Sequence, residues 1–124
     1  MEQRYAVSEK WEQSYPDPIV LRKEDRVIID FSVKDTTPGW DNWLWCISAD
    51  GLTGWVPAQI LTVINTITDD KKEAVVSADY SATELTVDKG EILIGTTVLN
   101  GWVWCRHQNR AVEGWVPSDN LQLI

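Results

Sequence analysis

The sequence predicts an all-β fold built as two small five-stranded barrels in tandem, and three observations carry that prediction. The stretch "WLWC" at 43–46 returns as "WVWC" at 102–105, and each copy is followed by "GWVP", at 54–57 and again at 114–117. Six of the eight tryptophans sit in this repeated pattern, which makes it a property of two folding units and not of one. Clusters of Gly, Pro, Asn and Asp cut the chain into short segments rich in Val, Ile, Thr and Trp, with no apolar stripe at helical period. Five such segments in about fifty residues are too few for a large sandwich, so a small, strongly bent barrel is the expected form.

In the second copy the segments run "EAVVSA", "ELTV", "EILIGTTV", "WVWCRH" and "GWVP" followed by "LQLI". Laid over the first copy, "ADYSATELTVDKGEIL" (78–93) matches "EKWEQSYPDPIVLRKEDRV" (9–27), which places Leu85 on Ile19, Val87 on Leu21, Glu91 on Asp25 and Leu93 on Val27. The first copy carries extra residues before its tryptophan strand, predicting a long loop over 34–42. Domain boundaries follow at 1–64 and 73–124. The linker "NTITDDKK" (65–72) is polar and free of Gly and Pro, so it tethers the domains closely.

Side chains alternate across a strand. With Cys46 and Leu44 pointing inward, Trp43 and Trp45 point outward; with Cys105 and Val103 inward, Trp102 and Trp104 do the same. Val56 and Val116 are the natural core residues of the "GWVP" strands, so Trp55 and Trp115 face out as well. Trp45 with Trp55, and Trp104 with Trp115, are expected to form cross-strand pairs, each worth roughly 0.2–1 kcal/mol relative to alanine pairs. The expected cores are Val7, Ile19, Leu21, Val27, Cys46, Val56 and Leu61 in the first barrel, and Val76, Leu85, Val87, Leu93, Cys105, Val116 and Leu121 in the second.

Composition narrows the function. The net charge is −8 and both halves share it, with 6 Lys/Arg against 10 Asp/Glu in residues 1–66 and 5 against 9 in 67–124. An evenly acidic surface disfavours nucleic acid and suits a basic protein or peptide. No apolar run is long enough to span a membrane, and the start "MEQRYAVSEK" lacks the order of a signal peptide, so a cytoplasmic location is expected. The two cysteines occupy the same place in the two copies, which reads as a shared core position and not a disulfide. His107 is the only histidine, and a zinc site needs about four ligands, so neither a metal nor another cofactor is expected. With no nucleophile–base set and no glycine-rich phosphate loop, the chain reads as non-catalytic.

The order A-D-Y, E-L-T-V-D-K-G-E-I-L, W-V-W-C, G-W-V-P-S-D-N-L resembles an SH3 domain from end to end, and the first copy follows it with insertions. The chain thus resembles a divergent, bacterial-type tandem pair of SH3 domains. The resemblance implies protein interaction through a groove that takes a polyproline helix. It offers Tyr80, Trp102 and Pro117 as walls in the second copy with Asp79 and Glu84 as acids. In the first it offers Trp11, Tyr15, Trp43 and Pro57 with Glu12 and Asp17; Trp40 is within reach of the same groove. Both copies depart from the family pattern: Ala78 and Glu9 stand where an aromatic is usual, and Asn120 and Ile60 where a tyrosine is. An alternative therefore keeps the fold and uses the outer face of Trp45, Trp55, Trp104 and Trp115 as an interdomain or homodimer surface.

Overall fold

The computed structural model describes residues 2–14, 17–33 and 42–124. Tyr15, Trp40 and all of the 34–42 loop except Asn42 lie outside the described residues. Within them the chain is all-β, with no α-helix. Its strands are β1 (Gln3–Val7), β2 (Val20–Leu21), β3 (Arg26–Asp30), β4 (Trp43–Ser48), β5 (Thr53–Pro57), β6 (Leu61–Thr66), β7 (Lys71–Val76), β8 (Tyr80–Ser81), β9 (Ile92–Leu99), β10 (Trp102–His107), β11 (Glu113–Pro117) and β12 (Leu121–Leu123). A single 3₁₀ turn follows Pro57 (Ala58–Ile60) and another follows Pro117 (Ser118–Asn120).

The strands form two five-stranded sheets, in the orders β5-β4-β3-β7-β6 and β11-β10-β9-β1-β12, with β2 and β8 as a separate pair. The ladders leave both sheets open, so the closed barrels expected from strand number are not what the hydrogen bonds describe. The segment "ELTV" (84–87), expected as a strand, makes only isolated bridges, Glu84 to Trp115 and Val87 to Trp11.

Strand order also overturns the expected boundaries at 1–64 and 73–124. The N-terminal strand β1 lies between β9 and β12 of the second copy, and β7, the first strand of the second copy, lies between β3 and β6 of the first. One compact unit is therefore Met1–Pro16 with Thr83–Ile124, and the other is Asp17–Ala82. The predicted linker 65–72 is no tether: it holds the end of β6, the turn and the start of β7, closed by Ile67 N–H to Lys71 O at 2.9 Å. Each copy has given its first strand to the other.

Both exchanged strands enter equivalent frames. Val7 N–H donates to Glu91 O (2.9 Å) and Val7 O accepts from Gly90 N–H (2.8 Å); Val76 N–H donates to Asp25 O (2.9 Å) and Val76 O accepts from Glu24 N–H (2.7 Å). The turn in front of each frame needs a left-handed residue. Gly90 supplies it at φ 94° without strain, whereas Glu24 adopts φ 77° against the preference of a side-chain-bearing residue.

Side-chain volume distinguishes the frames. Tyr5 and Ala74 are equivalent, opposite Leu93 and Val27, and so are Gly95 and Ile29, two residues further along. Tyr5 packs across Gly95 so tightly that a Cβ there would sit 2.6 Å from Tyr5 Cε2 and 2.7 Å from Val103 Cγ1. In the other unit the small Ala74 shares the core with the large Ile29. Large meets small twice. Unexchanged, Tyr5 would meet Ile29 and Ala74 would face Gly95, one site overfilled and the other hollow, and close-packed interiors tolerate neither.

Each unit has its own core. Ile19, Leu21, Val27, Ile29, Cys46, Val56, Ala74 and Val76 form one; Val7, Leu85, Val87, Leu93, Val103, Cys105 and Val116 form the other. The expected inward set is thus found with two corrections: Val7 and Val76 have changed places, carried by their strands, and Leu61 and Leu121 are only partly buried at the edges of the two cores. Both cysteines are free, and burial pushes each thiol up to about 12.

Two outcomes test the exchange. Residues 17–82 alone should unfold cooperatively, whereas 1–64 should form no monomeric folded unit, because β7 is missing and β1 would bring Tyr5 against Ile29; the check is amide dispersion and thermal unfolding of both fragments. If 1–64 folds as well as 17–82, contiguous halves are the folding units after all. Gly95→Ala should cost about 1–3 kcal/mol in denaturant unfolding, and Tyr5→Leu in the same chain should recover part of that loss.

Candidate functional site

The exchange moves the aromatics that the sequence assigned to the two grooves. Trp11, expected beside Trp43, belongs to the unit of Trp102; Tyr80, expected beside Trp102, belongs to the unit of Trp43. The swap follows from the strands, since each residue lies just beyond the exchanged β1 or β7.

In the unit that contains Trp102, Trp11 is fixed on three sides. Its backbone pairs with Val87, N–H to O at 2.9 Å and the reverse at 2.8 Å. Its ring stands edge-on to Trp102, with centroids 5.4 Å apart and planes at 82°, a favoured geometry for the aromatic quadrupole. Its indole N–H donates to Glu84 Oε1 at 2.9 Å. The same oxygen accepts Ser14 N–H (3.2 Å) and Ser14 Oγ–H (3.1 Å), and Thr86 Oγ1 accepts Gln13 N–H at 3.1 Å. Segments 11–14 and 84–86, some seventy residues apart in sequence, thereby form one ordered loop. Glu12 is exposed and pairs with Lys10 at 3.1 Å.

Asn120, which replaces the usual groove tyrosine, has a structural task. Its side-chain amide donates to Glu9 O (3.3 Å) and Lys10 O (3.1 Å), while its carbonyl accepts Ser8 N–H (2.8 Å). It clamps the exchanged segment leading to Trp11. Ile60 occupies the equivalent place in the other unit, where its carbonyl accepts Ser77 N–H (2.8 Å) and Ser77 Oγ–H (3.2 Å).

That second site is more closed. Tyr80 pairs with Leu21 and donates its hydroxyl to Trp55 O at 2.9 Å. Asp79 Oδ1 accepts Lys23 N–H at 2.8 Å, so this acid ties a turn in the unit of Trp43, away from the Trp102 groove assigned to it. Asp17 is exposed, and Pro57 is fully buried and offers no wall, unlike the half-buried Pro117.

Neither floor tryptophan is left exposed on the outer side that alternation assigns it: Trp43 is 6% exposed and Trp102 8%. The rule of alternation holds, since Val103 and Cys105 fill the opposite, core side. What it missed is a second layer of chain, Trp11 over Trp102, whose aromatic surface is the one presented at this face. The other expected pairs are present. Trp45–Trp55 lie directly opposite at 5.1 Å and 72°, and Trp104–Trp115 at 5.3 Å and 76°. Trp45, Trp55 and Trp104 are half-buried, while Trp115 is buried where its carbonyl accepts Leu85 N–H (3.0 Å). The Gly of "GWVP" is explained there: a Cβ on Gly114 would lie 2.9 Å from Leu85 N, and on Gly54 2.7 Å from Ile19 Cγ2.

His107, buried at the end of β10, belongs to a polar cluster that sequence reasoning did not assign. Its Nδ1 accepts Asn109 N–H at 2.9 Å, which leaves Nε2–H to donate to Glu91 Oε2; Arg110 meets the same oxygen at 2.8 Å. Asp88 N–H donates to Glu91 Oε1, and this bond, helped by His107 and Arg110 against the opposing pull of burial, holds the Glu91 carboxyl below its ordinary range. A pocket of about 220 Å³ lies beside His107, but its two arginines are engaged, Arg106 with Glu2 and Arg110 with Glu91. Among the described residues no three His, Cys, Asp or Glu converge on a metal-sized site.

A family model described as "Variant SH3 domain" matches residues 4–64. The match crosses the exchange, since its first strand folds with the unit of Trp102 and the rest with the other. Two solved structures, titled "CBDP35 Native structure" and "CBDP35 SeMet structure", align over 100% of this chain and 97% of theirs, at 10% identity and a TM-score of 0.33. No curated protein sequence matches the chain.

The lowered Glu91 carboxyl makes an acid-range prediction. A carboxylate whose folded pKa is depressed stabilises fully above its unfolded value, and that contribution is lost as pH falls through the lower folded value. The unit containing Glu91 should therefore lose stability as pH drops below about 4.3. Glu91→Gln should flatten that part of the profile, as read by denaturant midpoints between about pH 6 and about pH 3.

Proposed function

We propose that the chain is a non-catalytic protein-interaction module that takes a basic, proline-containing peptide segment across Trp11. The observation that carries this reading is the Trp11–Trp102 edge pair with the Glu84 carboxylate hydrogen-bonded to its rim. A polyproline helix arrives already extended and loses little entropy on docking against flat aromatic surface. An acidic protein with Glu84 and the exposed Glu12 beside that surface draws a cationic segment. Trp102 and Pro117 back the site, whereas the Trp43, Tyr80 and Pro57 site is the poorer candidate, because Pro57 is fully buried and the Tyr80 hydroxyl is engaged.

A second reading keeps protein interaction and moves it to the outer sheet face, as a homodimer or scaffold contact. The half-exposed Trp45–Trp55 and Trp104 rings favour it. Titration of an arginine-containing polyproline peptide separates the two. Trp11→Ala should weaken binding by ~2 kcal/mol or more, high salt should weaken it further, and Trp45→Ala should leave it unchanged. Loss of association on Trp45→Ala with none on Trp11→Ala would transfer the function to the outer face.

A further inference from the structure

We infer that Glu84 is the positioning residue of this recognition face: one carboxylate oxygen holds Trp11 upright on Trp102 while the other is left to meet the ligand's cation. The inference rests on the peptide-binding reading for its second half only. The three hydrogen bonds that Glu84 accepts from the 11–14 segment all converge on Oε1. Among the described residues Oε2 has no partner in the hydrogen bonds or ion pairs around it. Two of the donors to Oε1 come from Ser14, which closes the loop, and the third is the indole N–H of Trp11, which sets the ring's rotation. The edge-on geometry is favoured but only modestly, so releasing that N–H frees the ring to turn away from Trp102. Backbone pairing of Trp11 with Val87 would keep the strand in place; what Glu84 decides is the posture of the side chain.

The exchange gives this contact its significance. Glu84 comes from the second sequence copy and Trp11 from the first, so neither copy alone could build the face. A carboxylate divided in this way separates two properties that one acid usually merges. Its role in shape needs only an acceptor, and its role toward a cation needs the charge. Glutamine keeps the first and loses the second, whereas alanine loses both.

The test uses the full chain with two probes, a polyproline peptide without charge and the same peptide carrying one arginine. Without peptide, the Trp11 indole N–H resonance, assigned by its loss in Trp11→Phe, should be nearly the same in wild type and Glu84→Gln, and in Glu84→Ala should move upfield and exchange faster with water. The uncharged peptide should bind wild type and Glu84→Gln alike and Glu84→Ala about tenfold more weakly, the scale of a lost charge-assisted hydrogen bond. The arginine peptide should lose affinity and salt dependence already in Glu84→Gln. An unchanged Trp11 resonance in Glu84→Ala would overturn the positioning role, as would equal loss of the uncharged peptide in both variants. If wild type binds neither peptide, the peptide-binding reading fails, and the resonance of Trp11 still decides whether Glu84 holds the ring.

Discussion

The close approach of Tyr5 to Gly95 is the contact on which the rest of this architecture depends. A tyrosine ring occupies the space where a glycine has no side chain, and in the other unit an alanine leaves room for Ile29. The hydrogen bonds of the two strand-docking frames are nearly identical, so backbone chemistry is indifferent to which strand fills which frame. Volume is not indifferent. Packing at interior density penalises both the overfilled and the hollow alternative, and the exchanged pairing is the one combination that avoids both. From that selection follow the noncontiguous unit, the crossing of Val7 and Val76 between cores, and the delivery of Trp11 to Trp102.

The surroundings of Trp102 and of Trp43 inherit this logic. In the sequence, each candidate set of aromatics is written within one copy; in the structure Trp11 joins Trp102 and Tyr80 joins the unit of Trp43, so each set draws on both copies. The hydrogen bonds at Glu84, Thr86 and Asn120 all join segment 8–14 to residues seventy or more positions away, so the loop that presents Trp11 is ordered by the exchange itself. Departures from the SH3 pattern acquire reasons on the same ground. Asn120 gives up an aromatic in order to clamp the carbonyls of Glu9 and Lys10, and the backbone around Ile60 holds Ser77 in the same way.

The polar cluster of His107, Glu91 and Arg110 answers a different constraint. Glu91 lies in the turn before β9, where its carboxylate accepts Asp88 N–H as Asp25 Oδ2 accepts Arg22 N–H in the other unit. The longer glutamate reaches further, to the only histidine at the end of β10. A turn device shared by both copies is thus extended in one of them into a network that runs from the buried His107 through the partly buried Glu91 to the exposed Arg110. A buried polar group is costly unless it is satisfied, and the buried imidazole uses both nitrogens.

Much of this molecule was legible from local pattern. Repetition of the Trp-x-Trp-Cys and Gly-Trp-Val-Pro stretches disclosed two units; period-two alternation placed Cys46, Cys105, Val56 and Val116 inside and set Trp45 against Trp55 and Trp104 against Trp115. Those features depend on neighbours along one strand or across one turn, which sequence spacing encodes directly. Which copy supplies the first strand of each unit is not of that kind. Overlaying the copies places Tyr5 against Ala74 and Gly95 against Ile29, so the volumes were present as letters, but their meaning required knowing that these positions touch. The burial of Trp43 and Trp102 was hidden for the same reason, since alternation reports the face of a strand and not what packs on that face. Sequence by itself determined the strands, their inward sides and the number of cores; tertiary packing alone decided their connectivity, because two frames with the same hydrogen bonds differ only in the space left between side chains.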